Sequence, residues 1–176
     1  MRRARGNTAR TLAQWQRALA VNGYLMFSTL GPDTLRELRT LYAAAGWPAP
    51  HPPYADMHDL GDLLVHSGFA DPVMDQETIQ LTWSSPQALL AELRSLGGHL
   101  GLARHAGLRT PRWREQLLQA LADRADAQGR VRLTFELVYG HAIKVAPRPA
   151  PGAPVSVPLD GLRASLARRR DQVKGV

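Results

Sequence analysis

The stretch Tyr24-Leu25-Met26-Phe27-Ser28-Thr29-Leu30, bracketed by Gly23 and by Gly31-Pro32, is continuously apolar until its last few residues. That length between turn residues suits a strand, and the unbroken apolar run is the pattern of a parallel strand buried on both faces. Its small polar pair, Ser28-Thr29, falls near the carboxyl end. Gly31-Pro32-Asp33-Thr34 then opens a helix with Leu35, Leu38 and Tyr42 on one face and Gly46 where a C-terminal cap belongs. Strand, tight turn and helix in that order place this segment in an α/β layer.

Working outward, Leu12, Trp15, Ala18 and Leu19 form the stripe of a short amphipathic helix stopped by Asn22-Gly23. Residues 1–11, with Arg at 2, 3, 5 and 10, read as a disordered basic lead. Past the Pro-rich connector, Asp56 is an N-cap for a helix with Met57, Leu60 and Leu64 inward and Gly68 as its stop. Residues 72–83 alternate Ile79, Leu81 and Trp83 with Gln80 and Thr82, which is edge-strand behaviour. Ser85-Pro86 starts a helix with Leu89, Leu90, Leu93 and Leu96 inward, ended by Gly97-Gly98; Thr110-Pro111 starts another with Trp113, Leu117 and Leu121 in register. The last strand, residues 131–145, sets Val131, Leu133, Phe135, Leu137 and Tyr139 against Arg132, Thr134 and Glu136 until Gly140, where a bulge is expected. Residues 147–176 hold too little apolar content to pack and read as a disordered Pro/Arg-rich tail. Three strands are few for a buried parallel sheet, so the apolar strand at 24–30 expects a further neighbour, and the chain reads as the carboxyl half of a larger open sheet.

Composition narrows the chemistry. The 176 residues include no cysteine, which removes disulfide scaffolds, thiolate nucleophiles and Cys-ligated zinc. The net charge of +7 is concentrated at the ends: four arginines in residues 1–10, with six basic and two acidic residues in 147–176, leave the ends at +8. Residues 11–146 hold 12 basic and 13 acidic residues, a net charge of −1, so no nucleic-acid partner is expected and the arginine run at 168–170 reads as solvated tail. The apolar run at 24–30 is far shorter than a bilayer requires, no signal-peptide pattern follows the arginines, and the cytoplasm is the expected location.

A dinucleotide or SAM-type site needs a Gly-rich turn between a strand and a helix, and none is present. Gly97-Gly98-His99-Leu100-Gly101 follows a helix and reads as its terminator. The six histidines, at 51, 58, 66, 99, 105 and 141, lack a compact ligand spacing, and no metal site is expected. Asp56, Asp59 and Asp62 read as capping and a solvated helix face. Because ligands of open α/β sheets sit beyond the carboxyl ends of the strands, attention falls on Ser28, Thr29 and the turn behind them. Tyr139-Gly140-His141 forms a second polar and aromatic cluster, for which a strand kink with a surface histidine is an equal alternative. Trp15, Trp83 and Trp113 lie in apolar patterns and are expected in the core.

Three stretches carry a family resemblance: Phe27-Ser28-Thr29-Leu30-Gly31-Pro32-Asp33-Thr34-Leu35-Arg36-Glu37-Leu38; Asp56-Met57-His58-Asp59-Leu60-Gly61-Asp62 running on through Ser67-Gly68-Phe69-Ala70-Asp71-Pro72-Val73-Met74-Asp75; and Thr134-Phe135-Glu136-Leu137-Val138-Tyr139-Gly140-His141-Ala142. In this order they resemble the carboxyl half of the malonyl-acyl-carrier-protein O-methyltransferases of biotin synthesis, a class I SAM-dependent family, from about Trp15 to Lys144. The resemblance implies the last three strands of a Rossmann-like class I methyltransferase sheet, with the helices in 86–128 as a lid insertion. It also implies SAM as the family's cofactor and an acyl-carrier-protein thioester as its partner. Departures include Val21-Asn22-Gly23 where the family favours Lys-Pro-Gly-Gly, Trp83 for Tyr and Ile143 for Trp. The family's glycine motif and acidic ribose ligand have no counterpart here, so no cofactor-binding or catalytic residue is carried over, and a truncated chain inactive by itself is expected. The substrate candidates are Ser28, Thr29, Tyr139 and His141; the carrier-contact candidates are Arg104, Arg109, Arg112 and Arg114, with a solvated helix face as the alternative for the arginines. Rival readings are a methyltransferase-like protein with another acceptor, such as the complex I assembly type, and a non-catalytic interaction module.

Overall fold

The computed structural model describes residues 2–95, 109–146 and 159–160. The chain divides into two compact units, Met1–Val145 and Ala146–Val176; in the second, Ala146, Leu159 and Asp160 are described. The glycine cluster at 97–101, Arg104 and, apart from Leu159 and Asp160, the tail at 147–176 lie outside the described residues.

The first unit runs α1 (Arg2–Ala18), β1 (Tyr24–Leu30), α2 (Arg36–Ala44), α3 (Met57–His66), β2 (Ala70–Trp83), α4 (Pro86–Ser95), α5 (Pro111–Ala122) and β3 (Val131–Ile143). The three strands form one sheet in the order β1-β3-β2, both pairings antiparallel. β1 is therefore not a parallel strand buried on both faces: among the described residues it pairs with β3 alone, and Tyr24 and Met26 are 64% and 69% exposed. β3 is the central strand, and β2 lies at the edge as its alternation requires.

Local capping follows from the sequence. Asp56 accepts a hydrogen bond from the His58 amide at 2.8 Å, and Thr110 Oγ1 accepts from the Trp113 amide at 3.1 Å. Gly46 and Gly68 end α2 and α3 in the left-handed region, at φ 67° and 87°. α1 differs from expectation, because it is helical from Arg2 through the stretch that reads as a disordered lead. Leu12 is its buried anchor, whereas Trp15 is 41% exposed and not a core residue.

Helices cover both faces of the sheet. α1 and α3 bring Leu12 and Leu64 onto Phe69 and Ala142, with Leu25, Phe27 and Met74 beside them. On the opposite face α2, α4 and α5 supply Leu38, Leu41, Leu89, Leu117 and Leu121 to Trp83, Val131, Leu133 and Phe135. Trp113 packs against this cluster half-buried, and its indole nitrogen is buried without a hydrogen-bond partner.

Two details of β3 depart from the alternation. Gly140 makes no bulge, since it pairs in register with both Phe27 and Met74; it is small because the Phe27 ring occupies the space a Cβ would take. The irregularity is in β2 instead, between Ala70 and Val73, where Asp71 takes a positive φ of 47° before Pro72. Thr134 and Glu136, which alternation assigns to a wet face, are buried.

Candidate functional site

The turn behind β1 is built from polar contacts with β3. β1 ends at Leu30, opposite Leu137, and the Gly31 amide continues the ladder to the Glu136 carbonyl at 2.9 Å. The chain then turns away, and side chains replace the strand pairing. Thr34 Oγ1 donates to the Glu136 carbonyl and accepts from the Glu136 amide, both at 3.1 Å. The Glu136 carboxylate folds back to accept from the Asp33 amide at 2.7 Å, and a Cβ at position 31 would lie 2.6 Å from its carboxyl carbon and displace it. One turn later, Glu37 accepts from the Thr134 amide at 3.0 Å and from Thr134 Oγ1 at 2.5 Å. Burial pushes the Glu37 pKa up, but the two Thr134 hydrogen bonds outweigh it and hold the carboxyl below its ordinary value.

A cavity of about 410 Å³ opens at this carboxyl end of β1. Its polar lining comes from Asn7, Thr8 and Thr11 of α1, Ser28 and Thr29 of β1 and Tyr54 of the connector, with Trp15 and Phe27 among its apolar walls. Tyr54 stacks on His51 with ring centroids 4.9 Å apart, and burial raises its pKa, so it stays a neutral phenol that can donate or accept.

Of the four substrate candidates, Ser28 and Thr29 line this cavity. Ser28, Tyr139 and His141 lie on one face of the sheet, because Ser28 pairs with Tyr139 and His141 pairs with Met26 two positions along; alternation puts Thr29 on the other face. Tyr139 is already engaged: its hydroxyl donates to the Glu77 carboxylate, which raises its pKa. The His141 ring lies 6.0 Å from that of Tyr24.

The arginine candidates do not converge. Arg109 lays its guanidinium 3.8 Å above the Trp113 ring and 5.8 Å from the Tyr42 ring, capping an aromatic cluster completed by Trp47. Burial raises the Tyr42 pKa and Arg109 partly offsets it. Arg112 and Arg114 are exposed on α5 and, two residues apart, point about 200° apart around its axis. No cluster of three or more His, Asp or Glu side chains suited to a metal occurs among the described residues, and no helix there is long and apolar enough to cross a membrane. Sequence reasoning missed Asn7, Thr11 and Tyr54, and it missed Thr34 and Glu136 as the pair that shapes the turn; a buried acid opposite a glycine has no local signature.

A three-stranded antiparallel sheet with helices on both faces and a helical insertion between β2 and β3 is consistent with part of a methyltransferase fold. No protein-family model matches the chain. Curated proteins do. The chain is 44% identical over 138 residues to the malonyl-[acyl-carrier protein] O-methyltransferase of Laribacter hongkongensis, covering 78% of this chain and 46% of that enzyme. It is 44% identical over 141 residues to the enzyme of the same name from Nitrosospira multiformis, 79% of this chain and 45% of that one. With malonyl-[acyl-carrier protein] O-methyltransferase 1 of Coxiella burnetii the identity is 39% over 155 residues, 85% of this chain and 54% of the relative. The chain is thus related to the malonyl-[acyl-carrier protein] O-methyltransferases, and it spans about half the length of the curated relatives it matches.

Proposed function

We propose that this chain forms the acceptor side of a SAM-dependent O-methyltransferase acting on the free carboxyl of a malonyl thioester carried by an acyl carrier protein, in biotin synthesis. The observation that carries the reading is the 44% identity, over 78% of the chain, to an enzyme bearing that name. The cavity beside Ser28 and Thr29 supports it, because it sets polar groups of α1, β1 and the connector against apolar Trp15 and Phe27 walls. In this reading Ser28, Thr29 and Tyr54 hold and orient the acceptor while the Trp15 and Phe27 walls exclude water, so the chain's contribution is positioning. Tyr139 and His141, outside the cavity lining and on the sheet face opposite Phe27, are not part of this acceptor site, and Arg112 and Arg114, on opposite sides of α5, do not form one carrier-binding patch.

The methyl donor does not fit the β1–α2 turn. The turn's amides are those of Gly31, Asp33, Thr34 and Leu35, and all four already bond Glu136, Gly31 or Thr134 within the protein. None is left to face a ligand, and we derive no step through the donor. We propose accordingly that this chain alone binds no SAM and transfers no methyl group. Calorimetric titration of SAM into the chain is expected to give no heat of binding, whereas adding the remainder of the Laribacter relative as a second polypeptide is expected to restore methylation of malonyl-acyl-carrier protein. Micromolar SAM binding by the chain alone would overturn this reading.

A further inference from the structure

On the far side of the β1–α2 turn from the acceptor residues lies a second cavity, of about 630 Å³. Four arginines line it: Arg36 in α2, and, from one short stretch of chain, Arg124 and Arg130 in the connection between α5 and β3 and Arg132 in β3. A solvated helix face would draw its charges from one element; this recess gathers them from α2, the α5–β3 connection and β3. The two carboxylates in its lining are occupied by the protein itself. Glu37 accepts from the Thr134 amide and hydroxyl, and Asp126 accepts from the amides of Gln128 at 3.0 Å and Arg130 at 2.9 Å.

The arginines, by contrast, are loosely held. Arg36 lies 3.4 Å from Asp33 and 3.6 Å from Glu37, and Arg132 lies 4.0 Å from Asp126 and donates to the Gln80 side-chain oxygen at 3.4 Å, all longer than the 2.7–2.9 Å of a well-made charge-assisted bond. Arg124 and Arg130 each commit one donor, to the Ala120 carbonyl at 3.0 Å and to Thr82 Oγ1 at 2.7 Å, out of the five a guanidinium carries. The floor is apolar, formed by Leu41, Leu121 and Leu133. Planar donors arriving from several directions over a dry floor match a tetrahedral oxyanion better than a planar carboxylate, which accepts one fork at a time.

We propose that this recess is a binding site for a phosphate ester, separate from the acceptor cavity and independent of the methyltransferase reading. The test compares thermal unfolding of the full chain in sodium phosphate, sodium acetate and sodium chloride at equal ionic strength. Phosphate at several times its dissociation constant is expected to raise Tm by about 2–4 °C over both other salts. The double variant Arg130→Glu/Arg132→Glu is expected to lose that difference, and Arg10→Glu/Arg17→Glu, which removes the same charge from α1, to keep it. Should charge reversal prevent folding, Arg124→Lys/Arg130→Lys keeps the charge, loses the planar forks and is expected to weaken phosphate binding several-fold. Equal melting in phosphate and chloride, a larger response to acetate, or equal loss in the α1 control would overturn the proposal.

Discussion

Thr34→Val removes one hydroxyl and keeps the shape of a side chain that is fully buried. In the native protein that oxygen donates to the Glu136 carbonyl and accepts from the Glu136 amide, at 3.1 Å each, where β3 runs past the end of β1. The carbonyl keeps a second donor, the Gly31 amide at 2.9 Å, so its loss is small. The Glu136 amide has no such replacement and is left unpaired inside the protein, which costs about 1–3 kcal/mol. Thr34→Ser keeps the hydroxyl and loses one buried methyl, about 1 kcal/mol. Thermal unfolding at neutral pH reads both, and the Val variant is expected to melt about 2–10 °C below the parent, the Ser variant closer to it. If Thr34→Ser were the more damaging of the two, the methyl and not the hydrogen-bond pair would be holding the turn, and the reasoning would be refuted.

Gly140→Ala places a methyl where the Phe27 ring sits, so about 1–3 kcal/mol of stability is expected to be lost, and Phe27→Leu in the same chain is expected to recover part of it. A Gly140→Ala chain as stable as the parent would show that β1 and β3 pack less closely than described. Glu37 sets a pH dependence: its folded pKa lies below the ordinary 4.5, so the stability it contributes is fully present above about pH 4.5 and is lost as pH falls through the folded value. The Tm gap between the parent and Glu37→Gln is expected to narrow from about pH 6 to about pH 3, and a gap that is flat or widens over that range would contradict the assignment. Arg109→Ala removes the cation stacked on Trp113 and is expected to shift the tryptophan emission; an unchanged spectrum would place Arg109 elsewhere.

The helices were legible because their signals are local. Asp56, Thr110, Gly46 and Gly68 each act on amides or carbonyls within a few residues, so their identity alone marks the boundary. β3 was only half legible. Its alternation is real, but Thr134 and Glu136 are buried by Glu37 and Thr34, which lie 97 and 102 positions away, and no window of sequence contains both partners. β1 misled for a related reason: an apolar run records that a strand is buried in some context, not which strand lies beside it or in which direction it runs. α1 was cut short because its early turns carry arginines in place of an apolar stripe. At the site, Ser28 and Thr29 were reachable from the general rule for strand ends, whereas Asn7, Thr11 and Tyr54 meet them only through the packing of α1 and the connector.

The role proposed for this chain is acceptor binding within a larger methyltransferase. Replacing the matching 138-residue stretch of the Laribacter enzyme with the corresponding residues of this chain tests it most directly. Methylation of malonyl-acyl-carrier protein within about tenfold of the parent rate, falling further when Ser28 and Thr29 are changed together to Ala and Val, is the predicted result. A chimera that folds and binds SAM yet leaves malonyl-acyl-carrier protein unmethylated would contradict it.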